Sequence, residues 1–222
     1  VEDQEQVDKL LEIKDRCPRL ERIIYDDPRG MRHYEQTFLS SYEEIRAMGR
    51  VHEQQHPDFF AEAVAKCSSG DIAIMLYTSG TTGEPKGVVL SYRNLSQYPM
   101  VMGEMRVTDS STMRGCILPM SHIVGPVVCN ELAERGYTLV IFDQINPVTL
   151  LEGIQKYRVN VFESVPIVFQ LLLGVKNLAS YDTSSMKIAA MMGTSIPLPL
   201  LRAFQAAQPH IKVIQGDRKS VV

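Results

Sequence analysis

The residues best suited to chemistry stand together between Tyr77 and Gly87, in the string Tyr-Thr-Ser-Gly-Thr-Thr-Gly-Glu-Pro-Lys-Gly. Gly80 and Gly83 let the backbone turn tightly and approach a ligand closely. The hydroxyls of Thr78, Ser79, Thr81 and Thr82, with the N–H groups around them, can point at phosphate oxygens. Lys86 adds a mobile positive charge for the same phosphates. The string is therefore read as an anion cradle. A polar turn also uses Gly, Thr and Ser, but it does not need an unbroken run of them from Thr78 to Gly83 followed by a lysine. The string is not a Walker A loop, because Gly87 rather than Ser or Thr follows Lys86.

Other chemistry-bearing residues carry weaker signals. His122, in Leu-Pro-Met-Ser-His-Ile-Val-Gly, reads on its own as a histidine at a helix start. His33, His52, His56 and His210 lack metal-ligand spacing and are expected at the surface, so no metal site is assigned. Ser121 is not in a Gly-x-Ser-x-Gly context, which argues against a serine hydrolase. Glu21, Asp26 and Asp27 read as a solvated rim. Cys17, Cys67, Cys116 and Cys129 are widely spaced and are expected to be free thiols in a reducing, cytoplasmic setting.

An alternation of strand and helix must position the cradle. Ile72–Tyr77 is a short apolar run, and the cradle leaves its carboxyl end, the edge at which α/β sheets bind ligands. Further strands are predicted at 88–90, 116–118, 137–142, 159–162, 188–192 and 211–214. Helices are predicted from a Ser91 cap to about 105, and at 123–133, 147–157, 166–173 and 197–207. Apolar strands separated by helices indicate an α/β fold of mostly parallel sheets layered with helices. Near the start, Val7, Leu10, Leu11 and Ile13 mark one face of a helix, and His52–Asp71 reads as a charged surface excursion.

Composition bounds the partners. The chain has 222 residues, 23 basic against 26 acidic, a net charge of -3 and 45% hydrophobic residues. That is enough apolar material for a core, which excludes general disorder. The slightly acidic balance argues against a nucleic-acid binder. The longest apolar stretch, Ile117–Phe142, is broken by His122, Glu131, Glu134 and Arg135, so it does not read as a membrane span.

The cradle closely resembles the AMP-binding motif of the adenylate-forming superfamily of acyl-CoA synthetases, peptide-synthetase adenylation domains and luciferases. The resemblance extends to Leu118–Gly125, Asn160–Pro166, Lys187–Phe204 and Ile211–Gly216. The opening, Val1–Gly30, resembles bacterial long-chain fatty acid–CoA ligases. It implies that residues 1–216 are part of a large N-terminal AMP-binding domain, with the C-terminal domain absent. It implies ATP, Mg²⁺ and CoA as cofactor and cosubstrates, a fatty acid as substrate, and peripheral membrane contact for the parent enzyme. It places Thr78–Gly83 and Lys86 on the phosphates, His122 beside the reacting carboxylate, and the backbone of Gly193 and Thr194 against the adenine.

The sequence departs from that pattern in several places. The family's Tyr-Gly-x-Thr-Glu is replaced after Gly216 by Asp217–Val222. These residues can be back-translated to a common sequencing adapter and are expected to be non-native. Tyr92 stands where a histidine is frequent, and Met191 and Met192 stand where small residues are usual. Ile167, Val168, Phe169 and Gln170 follow Pro166, unlike the corresponding run in long-chain ligases. The expectation is a fragment of an AMP-forming acyl-CoA synthetase that does not make acyl-CoA alone. The alternatives are an adenylation domain that loads a carrier protein and a non-catalytic nucleotide-binding module.

Overall fold

A computed structural model describes residues 1–78, 83–104 and 108–216, the side chains of 98, 99 and 101–104 excepted. The chain divides into two units, Val1–Cys67 and Ser68–Val222.

In the first unit, α1 (Gln4–Ile13) starts where the Asp3 carboxylate accepts from the Gln6 N–H at 3.1 Å. Val7 is buried from the predicted apolar face, with Leu10 and Leu11 packed beside it. Two short strands, β1 (Ile23–Tyr25) and β2 (Leu39–Ser41), pair in parallel. Val7, Ile23 and Met31 form a small core. Helix α2 (Tyr42–Gln55) opens with a reciprocal capping box between Ser41 and Glu44. The excursion after it contains a further helix, α3 (Phe59–Ala65), whose residues are all exposed.

The second unit begins with β3 (Ile72–Thr78) and β4 (Lys86–Ser91), which pair antiparallel as a separate two-stranded sheet. This pair is the antiparallel exception in the expected mostly parallel arrangement. The reason is the brief connection, residues 79–85: a parallel partner would need a crossover of a dozen residues or more. Helix α4 (Tyr92–Glu104) follows, and Asn94 Oδ1 accepts from the Ser91 N–H at 3.0 Å at its start.

Five parallel strands then form the main sheet: β5 (Met113–Cys116), β6 (Thr138–Ile141), β7 (Val161–Ser164), β8 (Ile188–Met192) and β9 (Lys212–Gly216). Their order across the sheet is β6-β5-β7-β8-β9. The connecting helices are α5 (Val124–Arg135), α6 (Pro147–Tyr157), α7 (Pro166–Leu173) and α8 (Leu198–Ala207). Asn146 Oδ1 caps α6 by accepting from the N–H groups of Val148 and Thr149 at 3.0 and 3.2 Å. Gly136, at φ +70°, ends α5.

Phe162 on β7, Phe169 on α7 and Phe204 on α8 stack edge to face in series, with ring centroids 5.6 and 5.4 Å apart. Leu150 and Ile154 of α6 and Met191 of β8 complete this core. Strand β5 runs Met113–Cys116 rather than the predicted 116–118, because Arg114 lies inside it with its charge neutralised by buried partners. Strand β7 likewise runs two residues past the predicted end, through Glu163 and Ser164. Residues 217–222, the expected non-native tail, lie outside the described residues.

Candidate active site

The connection expected to cradle phosphate joins the two strands of the β3–β4 hairpin. Tyr77 pairs with Gly87, and Thr78, the last residue of β3, pairs with Lys86, the first of β4. The sequence-predicted Thr78 and Lys86 are therefore brought together at the loop end of the hairpin, flanking the connection. Lys86 is exposed, and Thr78 is half-buried. Gly83 sits at φ +87°, a conformation that glycine adopts without a steric penalty. Ser79, Gly80, Thr81 and Thr82 lie outside the described residues.

A second group lies at the carboxyl edge of the five-stranded sheet. Gly193 follows β8 directly, at φ +90°, and its N–H donates to the Gly216 carbonyl at 3.2 Å. Thr194 beside it is exposed. His122 lies in the turn between β5 and α5, also exposed, with its N–H donating to the Pro119 carbonyl at 3.0 Å. The His122 carbonyl accepts from the Gly125 N–H at 2.9 Å. Gly125 is required by space: a Cβ there would lie 1.9 Å from the Met120 carbonyl oxygen. Parallel strands end on one edge, so β5 and β8 carry His122 and Gly193 to the same side of the sheet. Lys86 belongs to the two-stranded sheet, whereas the His122 turn follows a strand of the five-stranded sheet.

Beneath this edge lies a feature that sequence reasoning missed. The Arg114 guanidinium on β5 is ion-paired with Glu131 of α5 and with Glu163 of β7. All three residues are buried, with exposures of 1%, 0% and 2%. The Thr108 hydroxyl donates to Glu131, and the Tyr137 hydroxyl donates to the Val128 carbonyl at 2.8 Å. Burial pushes the Tyr137 hydroxyl well above its ordinary pKa. The available signal was a charged residue inside each of three apolar runs. The Ser164 hydroxyl, next in the chain, is buried without a hydrogen-bond partner among the described residues.

The four remaining histidines, His33, His52, His56 and His210, lie at the surface, as expected. The four cysteines are free, with Cys116 buried and Cys67 and Cys129 exposed. Among the described residues, no three His, Cys, Asp or Glu side chains group to hold a metal, and no helix is long and apolar enough to cross a membrane.

Residues 1–216 match the family described as AMP-binding enzyme. The chain belongs to this family. Among the relatives of this AMP-binding chain, 4-coumarate–CoA ligase 1 of Petroselinum crispum is 33% identical over 155 residues, covering 67% of this chain and 28% of that protein. The long-chain-fatty-acid–CoA ligase of Bacillus subtilis (strain 168) is 30% identical over 149 residues, covering 66% and 26% respectively. The chain thus spans about a quarter of the length of these curated relatives. The inhibitor-bound N-terminal domain of FACL13 from Mycobacterium tuberculosis has the same fold, with a TM-score of 0.69 and 21% identity. That likeness covers 90% of this chain and 51% of that one. The α/β fold is that of the N-terminal domains of adenylate-forming enzymes.

Proposed function

We propose that residues 1–216 are part of the large N-terminal domain of an AMP-forming acyl-CoA synthetase that activates a fatty acid. In the first step a carboxylate oxygen attacks the α-phosphorus of ATP. A new P–O bond forms, the bond to the β-phosphate oxygen breaks, and acyl-adenylate and pyrophosphate result. In the second step the CoA thiolate attacks the acyl carbon, and AMP leaves with the electron pair of the C–O bond.

The first step brings an anion onto an already anionic phosphate. Its barrier falls when fixed positive groups offset that charge and when the attacking oxygen is aligned. The observation that carries the reading is the pairing of Thr78 with Lys86 at the loop end of the hairpin. That pairing sets a lysine and a hydroxyl at the two ends of the glycine- and hydroxyl-rich connection. Thr78, Ser79, Gly80, Thr81, Thr82 and Gly83 would hold the departing β- and γ-phosphates, with Lys86 as an electrostatic clamp. The backbone of Gly193 and Thr194 would border the adenine, and His122 would line the acyl end near the carboxylate. Mg²⁺, which the resemblance implies, would be carried largely by the phosphates themselves, since among the described residues no three acidic, histidine or cysteine side chains group into a ready-made site.

A fatty acid as substrate is supported by the Bacillus subtilis ligase and by the long-chain character of the opening residues, Val1–Gly30. A similarly close relative is named for 4-coumarate. The test is acid-dependent exchange of labelled pyrophosphate into ATP by the full-length protein carrying these residues. Fatty acids of graded length, 4-coumarate and amino acids are offered in parallel, followed by assay of CoA thioester. Exchange driven best by fatty acids and completed by CoA is expected. Preference for 4-coumarate would replace the substrate, and exchange with no acid at all would overturn the function.

A further inference from the structure

The buried ion pairs of Arg114 lie in a telling place. Glu163 is the register partner of Cys116, the last residue of β5, and comes one residue before the end of β7. Each of the three charged residues belongs to an element that frames the carboxyl edge. Strand β5 continues through Ile117–Pro119 into the turn that holds His122, and α5 begins at the end of that turn. Strand β7 runs through Val165 into α7 at Pro166. One guanidinium thus ties together the strand and the helix on either side of the His122 turn, and both to the strand that launches the β7–α7 turn.

Stability alone does not explain this arrangement. Desolvating an arginine and two carboxylates is costly, and well-packed apolar residues often do as well or better. A planar guanidinium that engages a separate carboxylate with each terminal nitrogen does fix relative position, because its donor directions are rigid. The Thr108 hydroxyl holds Glu131 from its other oxygen, so the helix-side carboxylate has little freedom of its own.

We propose that Arg114 is a positioning residue: through Glu131 and Glu163 it holds the His122 turn and the β7–α7 turn at a set separation, and so sets the acyl end of the candidate site. The acyl part rests on the proposed function; the pinning of the two turns does not.

Native-state amide exchange on this chain tests the pinning in two variants. Glu163→Gln keeps the Glu131 ion pair, and the triple variant Arg114→Met, Glu131→Gln, Glu163→Gln neutralises these three groups together. The amides of His122, Gly125 and Val168, which donate to Pro119, His122 and Val165 carbonyls, are expected to exchange about tenfold faster or more. That is the effect of losing one charge-assisted hydrogen bond. The Lys212 amide, which donates to the Lys187 carbonyl on the far side of the sheet, is expected to hold its rate. Equal acceleration at Lys212, or no acceleration at the two turns in either variant, would overturn the pinning. In the full-length ligase, Glu163→Gln is expected to raise KM for the carboxylate about tenfold while KM for ATP stays within twofold. A matched rise in both would overturn the acyl role. A wild-type protein that activates no acid would remove that role together with the proposed function, while the exchange result would still decide the pinning.

Discussion

Replacing Gly125 with alanine sets two physical effects against each other. Gly125 lies in the first turn of α5, where intrinsic helix propensity favours alanine over glycine by up to about 1 kcal/mol. The added Cβ, however, would meet the Met120 carbonyl oxygen at 1.9 Å and its carbon at 2.6 Å. The contact is with backbone, so no side chain can swing aside. Ordinary van der Waals contact begins near 3.4 Å, so helix and turn must separate by about 1.5 Å. Overpacking of this kind costs about 1–3 kcal/mol, and a backbone clash belongs at the upper end of that range. Set against the propensity gain, Gly125→Ala is expected to destabilise by about 1–2 kcal/mol, lowering the melting temperature by roughly 2–8 °C for a unit of this size. Thermal unfolding followed by circular dichroism reads the change. Gly49→Ala is the control: Gly49 lies inside exposed α2 with nothing within 4 Å of the added carbon, and it should stabilise its unit by up to about 1 kcal/mol. A Gly125→Ala protein that melts at or above the wild-type temperature would refute the steric reasoning.

Two further outcomes follow from the second unit. Phe162→Ala removes the ring that touches both Phe142 and Phe169 at zero exposure and should cost about 3–5 kcal/mol by urea titration, with the m-value unchanged. Burial raises the Cys116 thiol above its ordinary pKa, so iodoacetamide should label Cys67 and Cys129 in the folded chain and Cys116 only on unfolding. Because the raised group favours its protonated form in the folded state, its contribution is complete below the unfolded value of about 8.5 and is lost as pH rises through the folded value. Equal labelling of all three thiols in the native protein would contradict the burial.

Much of the second unit is legible in the sequence because local and global signals agree there. Helices α6 and α7 and strand β8 take their predicted bounds: proline marks the start of each helix, and β8 is an unbroken apolar run. The Tyr77–Gly87 string stands out by composition, since few roles other than an anion cradle call for so many hydroxyls and glycines beside one lysine. What escaped were charges neutralised by partners distant in sequence. Arg114 and Glu163 interrupt apolar runs, and the boundaries of β5 and β7 were drawn to leave them out. Only the fold reveals that they meet, since 49 positions separate them in the chain. The antiparallel hairpin escaped for another reason: apolar strand content does not encode direction, which the length of the connection decides. Exposed α3, with Phe59 and Phe60, falls inside the surface excursion expected at His52–Asp71.

The central claim is that the hairpin's glycine- and hydroxyl-rich bend, closed by Lys86, holds the phosphates of ATP. Its most direct test is calorimetric titration of ATP into the full-length protein and its Lys86→Ala variant. Losing one hydrogen bond from a charged donor, about 1.5–3 kcal/mol, predicts an affinity roughly 10- to 100-fold weaker, with acyl-adenylate yield falling alongside it. Unchanged ATP affinity together with undiminished adenylate yield would contradict the account.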